Sequence, residues 1–308
     1  MRVYINRQPV KGPWGGGNKT VTKLAEGLLK RGHDVIFRLE EHIDVIFCFD
    51  PRPNDYWEWY QHFYNYRESR GGKIIQRAGD LGTHSKPELT DLVKQTVVHS
   101  DFIIFPSVWA KEFINYSKDN YEVVFNCPMK MFYENRNENT ELGDKIKLVT
   151  HHWSKNPKKG FDYYKKLDEF IGETDHYEFT YIGRKPDDLE FKNSTYIPAI
   201  EAEKLKEKLP EHDIYITASV EEAGANHVLE ALAAGLPVIY HKDGGSIPNY
   251  CENYGIEYSS FEELIGSLEA MKNEYGNYKT KVLSYNKKMD DVVEQYIEII
   301  EMMGENNG

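Results

Sequence analysis

Short apolar runs alternate along this chain with amphipathic stretches, and that alternation limits the possible folds more than any single motif does. In the first half, strands are expected at Arg2 to Asn6, Asp34 to Leu39, Asp44 to Phe49, Lys73 to Arg77, Phe102 to Phe105 and Glu122 to Phe125, with helices in the gaps. Parallel neighbours can be joined only by crossovers long enough to hold a helix, so the pattern specifies an α/β protein. It stops near Asn126-Cys-Pro-Met, and Tyr133 to Lys145 is polar and rich in Asn and Glu, a linker composition. A second series follows, with strands at Lys147 to His151, Tyr177 to Ile182, Ile214 to Thr217 and Val238 to Tyr240. Its helices begin near Gly160, Glu201, Asn226 and Phe261. The reading is two Rossmann-like, doubly wound parallel-sheet domains, 1–140 and 141–278, whose carboxyl-end loops face a cleft. Lys279 to Met303 reads as one further helix, and the last residues, 305–308, are expected to fray.

At 308 residues the chain can build two cores. A formal net charge of -12 opposes long-range attraction to nucleic acid or an anionic bilayer. Three scattered cysteines without C-x-x-C spacing read as free thiols of a reducing compartment. No run approaches the ~20 apolar residues of a membrane span, and Met1-Arg-Val-Tyr-Ile is already a strand where a signal peptide would stand. The expectation is a cytoplasmic protein with no nucleic acid partner and no transmembrane segment, peripheral membrane contact staying open. The aromatic run Tyr56 to Tyr66 reads as packing, with one face left for a partner, an acceptor or a membrane edge.

The chemistry concentrates in Ala218-Ser-Val-Glu-Glu-Ala-Gly-Ala-Asn-His-Val-Leu-Glu-Ala-Leu-Ala-Ala-Gly-Leu-Pro-Val-Ile. Glu222 and Glu230 flank a small-residue turn that opens a helix, and the helix feeds the strand Pro237 to His241. Such a turn presents free backbone N–H groups and a positive helix end at the sheet edge where α/β folds bind phosphates. Two acids beside an anion site suit a ligand that carries hydroxyls as well as phosphates, as a nucleotide-sugar does.

The E-x7-E spacing followed by Ala-Leu-Ala-Ala-Gly-Leu-Pro-Val-Ile resembles the donor motif of the GT4 family, retaining glycosyltransferases of the two-lobed GT-B fold. The resemblance implies that Glu222 contacts the donor sugar and Glu230 the ribose hydroxyls, with Asn226, His227 and Val228 at the helix start also against the donor. Family members carry Gly three residues after the first acid. Here Gly224 is two after Glu222 and three after Glu221, so Glu221 stays a rival. The resemblance also implies that the terminal segment, 279–308, crosses back onto the first lobe.

Two loops are candidates for phosphate. Lys11-Gly-Pro-Trp-Gly-Gly-Gly-Asn is neither a Walker motif nor G-x-G-x-x-G, so neither ATP nor a dinucleotide is indicated. It resembles the family's first glycine loop, which assigns Gly16 and Gly17 to the donor diphosphate. In Thr150-His-His-Trp-Ser-Lys-Asn-Pro-Lys-Lys-Gly, three lysines bunch at a helix start, where cations oppose the helix dipole unless an anion binds there. Lys159 matches the family's lysine before Gly; the usual Arg is missing, and Lys155 is the substitute. Arg184 and Ile197 lie where the family cradles the base. In the first lobe, Gln76-Arg-Ala-Gly-Asp-Leu-Gly-Thr-His supplies Asp80 and His84 as titratable candidates beside acceptor and sugar. Ser107 is expected to cap a helix.

The function implied is metal-independent, retaining transfer of a hexosyl or related group from a UDP- or GDP-linked sugar to a hydroxyl of a glycan or small-molecule acceptor. The donor is a substrate and no other cofactor is expected. No Asp-x-Asp motif appears, and the adjacent pair Asp187-Asp188 is a poor substitute. The alternatives are a non-catalytic nucleotide-sugar or glycan-binding module, or an epimerase or phosphorylase on the same fold.

Overall fold

The computed structural model describes residues 1–10 and 16–305. The glycine-rich stretch 11–15 and the tail 306–308 lie outside the described residues, so of that loop Gly16, Gly17 and Asn18 are placed. The chain divides into two units, Met1–Cys127 with Met289–Gly308, and Pro128–Lys288.

Unit 1 is built on a six-stranded sheet of β1 (Arg2–Ile5), β2 (Asp34–Ile36), β3 (Val45–Cys48), β4 (Lys73–Arg77), β5 (Phe102–Phe105) and β6 (Tyr121–Val123). The order is β2-β1-β3-β4-β5-β6 with every pair parallel. The central strands are buried on both faces, which is why they read as continuous apolar runs. The aromatic run enters a helix, Tyr60–Arg70, that buries Tyr60, Phe63 and Tyr66 at three-residue spacing and leaves Trp57 exposed just before it. Ser107 caps the helix Val108–Ile114, accepting the Ala110 N–H at 3.0 Å. The terminal segment is two helices, Tyr275–Leu283 in unit 2 and Met289–Glu305 in unit 1, because the residues between them, Ser-Tyr-Asn-Lys-Lys, interrupt the apolar periodicity. Met289–Glu305 packs on the helix Gly16–Lys30 through Val293 and Ile297 against Gly27. Arg31 pairs with Glu294 and Glu301, and Lys23 with Asp290, along the same seam.

Unit 2 carries β7 (Ile146–His152), β8 (Tyr177–Gly183), β9 (Thr195–Ile197), β10 (Ile214–Thr217), β11 (Val238–His241) and β12 (Gly255–Tyr258), again all parallel. Side chains alternate between two cores: Ile214 and Ile216 enter the cluster with Phe161, Tyr164 and Leu268, whereas Tyr215 enters the one with Val228, Leu232 and Ile247. The order is β12-β11-β10-β7-β8-β9. Succession therefore runs outward in one direction from β7 and in the other from β10, and the reversal lies between those two strands. In open α/β sheets that point, at the carboxyl ends, is where ligands bind.

The polar stretch ahead of β7 is tied into unit 2. Arg136 donates to the carbonyls of Val282 and Leu283 at 2.8 and 3.1 Å, and the Asn137 amide to that of His212 at 2.6 Å. Close by, Lys279 is fully buried and donates from Nζ to the Gly235 carbonyl at 2.7 Å, just past the end of the helix Asn226–Ala233. A cation there complements the helix dipole, but burial pushes its pKa down to about 8, with Asp213 opposing the shift. Below pH 8 folded and unfolded chains both hold this proton, and the full cost of burying the charge is carried. As pH rises toward 10.5 the folded state releases the proton first, the unfolded state binds more protons, and stability rises. Relative to Lys279→Met, the wild-type unfolding free energy should gain on the order of 3 kcal/mol across that window. Denaturant unfolding of both proteins at pH 7.5 and 10 checks this; a constant difference contradicts it.

Candidate functional site

Residues from β7, β10 and the loops after them meet at the reversal point of unit 2. The turn after β7 is Trp153 to Gly160. Gly160 has φ 80°, and a Cβ on it would lie 2.4 Å from the Ala218 carbonyl oxygen. Only glycine permits that turn and that approach at once. The loop after β10 is zipped to it, with the Val220 N–H on the Lys158 carbonyl at 2.9 Å. Tyr164, from the helix Phe161–Ile171, accepts the Ala218 N–H at 3.0 Å and reaches His152 Nε2 at 2.7 Å. On its far side the β10 loop joins the one after β11, where Glu222 and Gly245 form a bridge.

This zipper sets two doublets opposite each other: Lys158 pairs with Glu221 and Lys159 with Glu222. The inner pair is well shielded, its side chains 12% and 13% exposed, against 34% and 41% for the outer pair. Glu221 has φ 53°, left-handed for a non-glycine residue, at a cost on the order of 1 kcal/mol. Strain of this kind concentrates at functional sites.

Glu230, one turn into the helix Asn226–Ala233, is held from beneath. His151 Nε2 lies 2.8 Å from its carboxylate, and His151 Nδ1 lies 3.1 Å from the Tyr215 hydroxyl. That hydroxyl accepts the His151 backbone N–H at 3.1 Å. With Tyr215 donating to Nδ1, the network puts the His151 proton on Nε2, facing Glu230. Burial pushes the Tyr215 phenol well above its usual range, so it stays a donor. His227, on the same helix, is buried against the Thr217 hydroxyl at 3.1 Å, with its ring 5.1 Å from that of His152. The Ser219 hydroxyl is fully buried and has no partner among the described residues.

Of the residues expected at the donor, Lys159, Glu222, His227 and Glu230 gather here, and Asn226 begins the helix whose N-terminus points at the same loops. Val228 is fully buried in the core, so it can offer a ligand only backbone. Lys155 is spent on Asp187 at 2.6 Å in an exposed position. The Arg184 N–H donates to the His152 carbonyl at 2.9 Å, and its guanidinium lies 6.0 Å from the Trp153 ring centroid. Ile197, in β9, packs half-buried against the core. His151 and Tyr215 were absent from the expected set, and Lys158 entered only as one of three bunched lysines, without a role of its own; the His-His pair ending β7 and the Lys-Lys doublet facing Glu-Glu were the available signals. Gly17, Asp80 and His84 belong to unit 1. There Asp80 is exposed, accepts the Gly82 N–H at 3.0 Å and pairs with Lys86 at 2.8 Å, while His84 lies half-buried in the turn before the helix Pro87–Val97. Among the described residues no His, Cys, Asp and Glu side chains cluster as a metal site, and no helix is long and apolar enough to cross a membrane.

No family model matches the chain, and no curated protein matches it. Solved structures do. WaaB, a lipopolysaccharide outer core galactosyltransferase in its apo form, superposes with TM-score 0.73 at 11% identity over 98% of this chain and 99% of that one. A glycosyltransferase from Rickettsia africae gives 0.68 at 12%, covering 99% of each chain. WaaG, a glycosyltransferase involved in lipopolysaccharide biosynthesis, gives 0.65 at 13% over 97% of this chain and 99% of that one. Similarity at such identities speaks to architecture: two parallel six-stranded sheets with flanking helices, the GT-B fold of glycosyltransferases.

Proposed function

We propose that this protein is a glycosyltransferase, a GT4-type enzyme that moves a hexosyl or related group from a nucleotide-sugar to an acceptor hydroxyl, with retention and without a metal. The observation that carries the reading is the pairing of Lys159 with Glu222 beside Glu230 on His151, all at the reversal point of one sheet. A cation, two carboxylates and a helix N-terminus in that arrangement match a ligand that is diphosphate at one end and polyol elsewhere.

Each group has a task in this reading. Glu230 accepts from the ribose hydroxyls, and the His151 N–H fixes which carboxylate oxygen stays available for them. Lys159 and the backbone N–H groups opening the helix Asn226–Ala233 receive the charge that builds on the departing diphosphate. Fixed donors of this kind supply without a metal the electrostatic stabilisation that a divalent ion provides elsewhere. The diphosphate competes with Glu222 for Lys159, and the carboxylate so released turns to the sugar hydroxyls.

A nucleoside diphosphate at ~100 times its dissociation constant should add about 2.7 kcal/mol of stability. A thermal-shift panel of nucleoside diphosphates and nucleotide-sugars is expected to give a clear response to at least one, diminished in Lys159→Ala and Glu230→Ala; no shift with any compound refutes the donor site. Incubating the responding nucleotide-sugar with candidate acceptors should then yield free nucleoside diphosphate and a lengthened acceptor. An altered sugar nucleotide or a released sugar phosphate instead would mean epimerisation or phosphorolysis.

The ion pair itself is testable without ligand. Lys159→Met leaves a shielded carboxylate behind and should cost roughly 3 kcal/mol, the lower end for breaking a buried pair. Lys159→Met with Glu222→Leu together should cost far less than the two single changes summed. A double-mutant cycle in urea measures this coupling, and additivity within about 0.5 kcal/mol would show the two side chains to be independent.

A further inference from the structure

The sheet of unit 1 has a reversal point of its own. In the order β2-β1-β3-β4-β5-β6, succession runs one way from β1 to β2 and the other way from β3 onward, so the connections leaving β1 and β3 part there. Their first residues are bonded to each other. The Phe49 N–H donates to Asn6 Oδ1 at 2.7 Å, Arg7 donates to the Arg52 and Pro53 carbonyls at 3.3 and 3.2 Å and pairs with Asp50, and the Tyr56 hydroxyl donates to Gln8 Oε1 at 3.2 Å. The apex of the β3 loop is Trp57, at 79% the most exposed large apolar side chain among the described residues. A frame beneath it fixes the turn. Asn54 Oδ1 accepts the N–H groups of Tyr56 and Glu58, both at 2.9 Å, and the Trp57 N–H donates to the Asn54 carbonyl at 2.9 Å. Glu58 is anchored in turn by the hydroxyl of the buried Tyr4 at 2.6 Å and by the Leu39 N–H at 2.9 Å.

Within this frame Trp57 has φ 60°, a left-handed conformation that glycine adopts freely and a bulky residue adopts at a cost. The chain thus holds an indole on strained backbone, in water, at the edge where open α/β sheets bind ligands. The surroundings select the occupant. The Arg38 guanidinium carbon lies 4.3 Å from the Tyr56 ring centroid and covers one face of that ring. The apolar area left is about one indole, far short of the ~800 Å² that each partner of a stable protein interface buries. The charges nearby are mixed, because Arg7 and Arg52 share Asp50 and Asp55 stands exposed, so no basic cluster draws an anionic bilayer. A pyranose has the matching chemistry: its C–H face is apolar and one ring in size, and its hydroxyls suit the carboxylate, guanidinium and amide groups beside the turn. We propose that unit 1 binds a glycan, one sugar ring of which stacks on Trp57. The residues all belong to unit 1, so the binding itself goes beyond the donor site; that the glycan is the acceptor rests on the glycosyltransferase reading.

Isothermal titration of wild type, Trp57→Ala, Trp57→Tyr and Lys159→Ala with oligosaccharides of glucose, galactose, mannose and N-acetylglucosamine tests this, beside cosedimentation with vesicles of phosphatidylcholine and phosphatidylglycerol. Because the Trp57 side chain stands in solvent, both of its replacements should fold and melt as wild type does. At least one oligosaccharide should bind wild type and Lys159→Ala alike, roughly tenfold more weakly in Trp57→Ala and within about threefold of wild type in Trp57→Tyr, which keeps an aromatic face. The proposal is wrong if wild type binds none of the oligosaccharides, if Trp57→Ala binds as well as wild type, or if Trp57→Tyr is as weak as Trp57→Ala. It is equally wrong if only Lys159→Ala weakens binding, or if Trp57 matters for vesicles and not for sugars. Failure of the donor reading looks different: no response to any nucleoside diphosphate, with Trp57-dependent oligosaccharide binding intact.

Discussion

The pairing of β7 with β10 is the constraint on which the candidate site rests. β7 opens one half of the unit 2 topology and β10 the other, and they lie side by side at the centre of the sheet, so the connections leaving their carboxyl ends run in opposite directions and open a crevice. Three bonds lock the two together there: Val220 to Lys158, Tyr164 to Ala218, and Tyr215 to His151. Because backbone groups are bonded across the gap, the side chains that follow meet in fixed order, and consecutive glutamates face consecutive lysines. The left-handed backbone at Glu221 belongs to the same arrangement, strain held by a zipper on either side of it.

Much of this was legible in the sequence, for a physical reason. A strand buried on both faces is mostly apolar, so β5, Phe-Ile-Ile-Phe, and β10, Ile-Tyr-Ile-Thr, stood out as apolar runs. The acids of the β10 loop were marked by spacing and by the small residues around them, since a helix opening against a ligand or a loop admits little bulk. What stayed hidden was what depends on long-range contact. The partners of Glu230 and of His151 are 79 and 64 residues away in sequence, and no local pattern announces such a pair. The edge strand β9 was hidden for another reason: it is three residues long and exposed at two of them, so it carries no buried run. The polar stretch ahead of β7 read as a loose linker because its Arg and Asn looked solvated. Their side chains in fact satisfy carbonyls at the end of the helix Tyr275–Leu283 and at the turn before β10, which is what polar residues do where backbone acceptors would otherwise go unpaired.

The lysines of the β7 turn are all paired. In unit 2 each lysine of the β7 turn has a carboxylate: Lys155 has Asp187, Lys158 has Glu221, Lys159 has Glu222. A chain of net charge -12 can supply such partners easily, and the pairs keep a lysine-rich helix start from opposing its own dipole. In the proposed donor reading, a diphosphate would have to take Lys159 from Glu222, and its affinity would be lowered by the cost of parting them. That cost would be partly offset once the released carboxylate found hydroxyls, which only a ligand with both chemistries provides. Phosphate alone would bear the whole cost, so in that reading the ion pair, by weakening binding of the simplest anion, would sharpen a preference for a nucleotide-sugar.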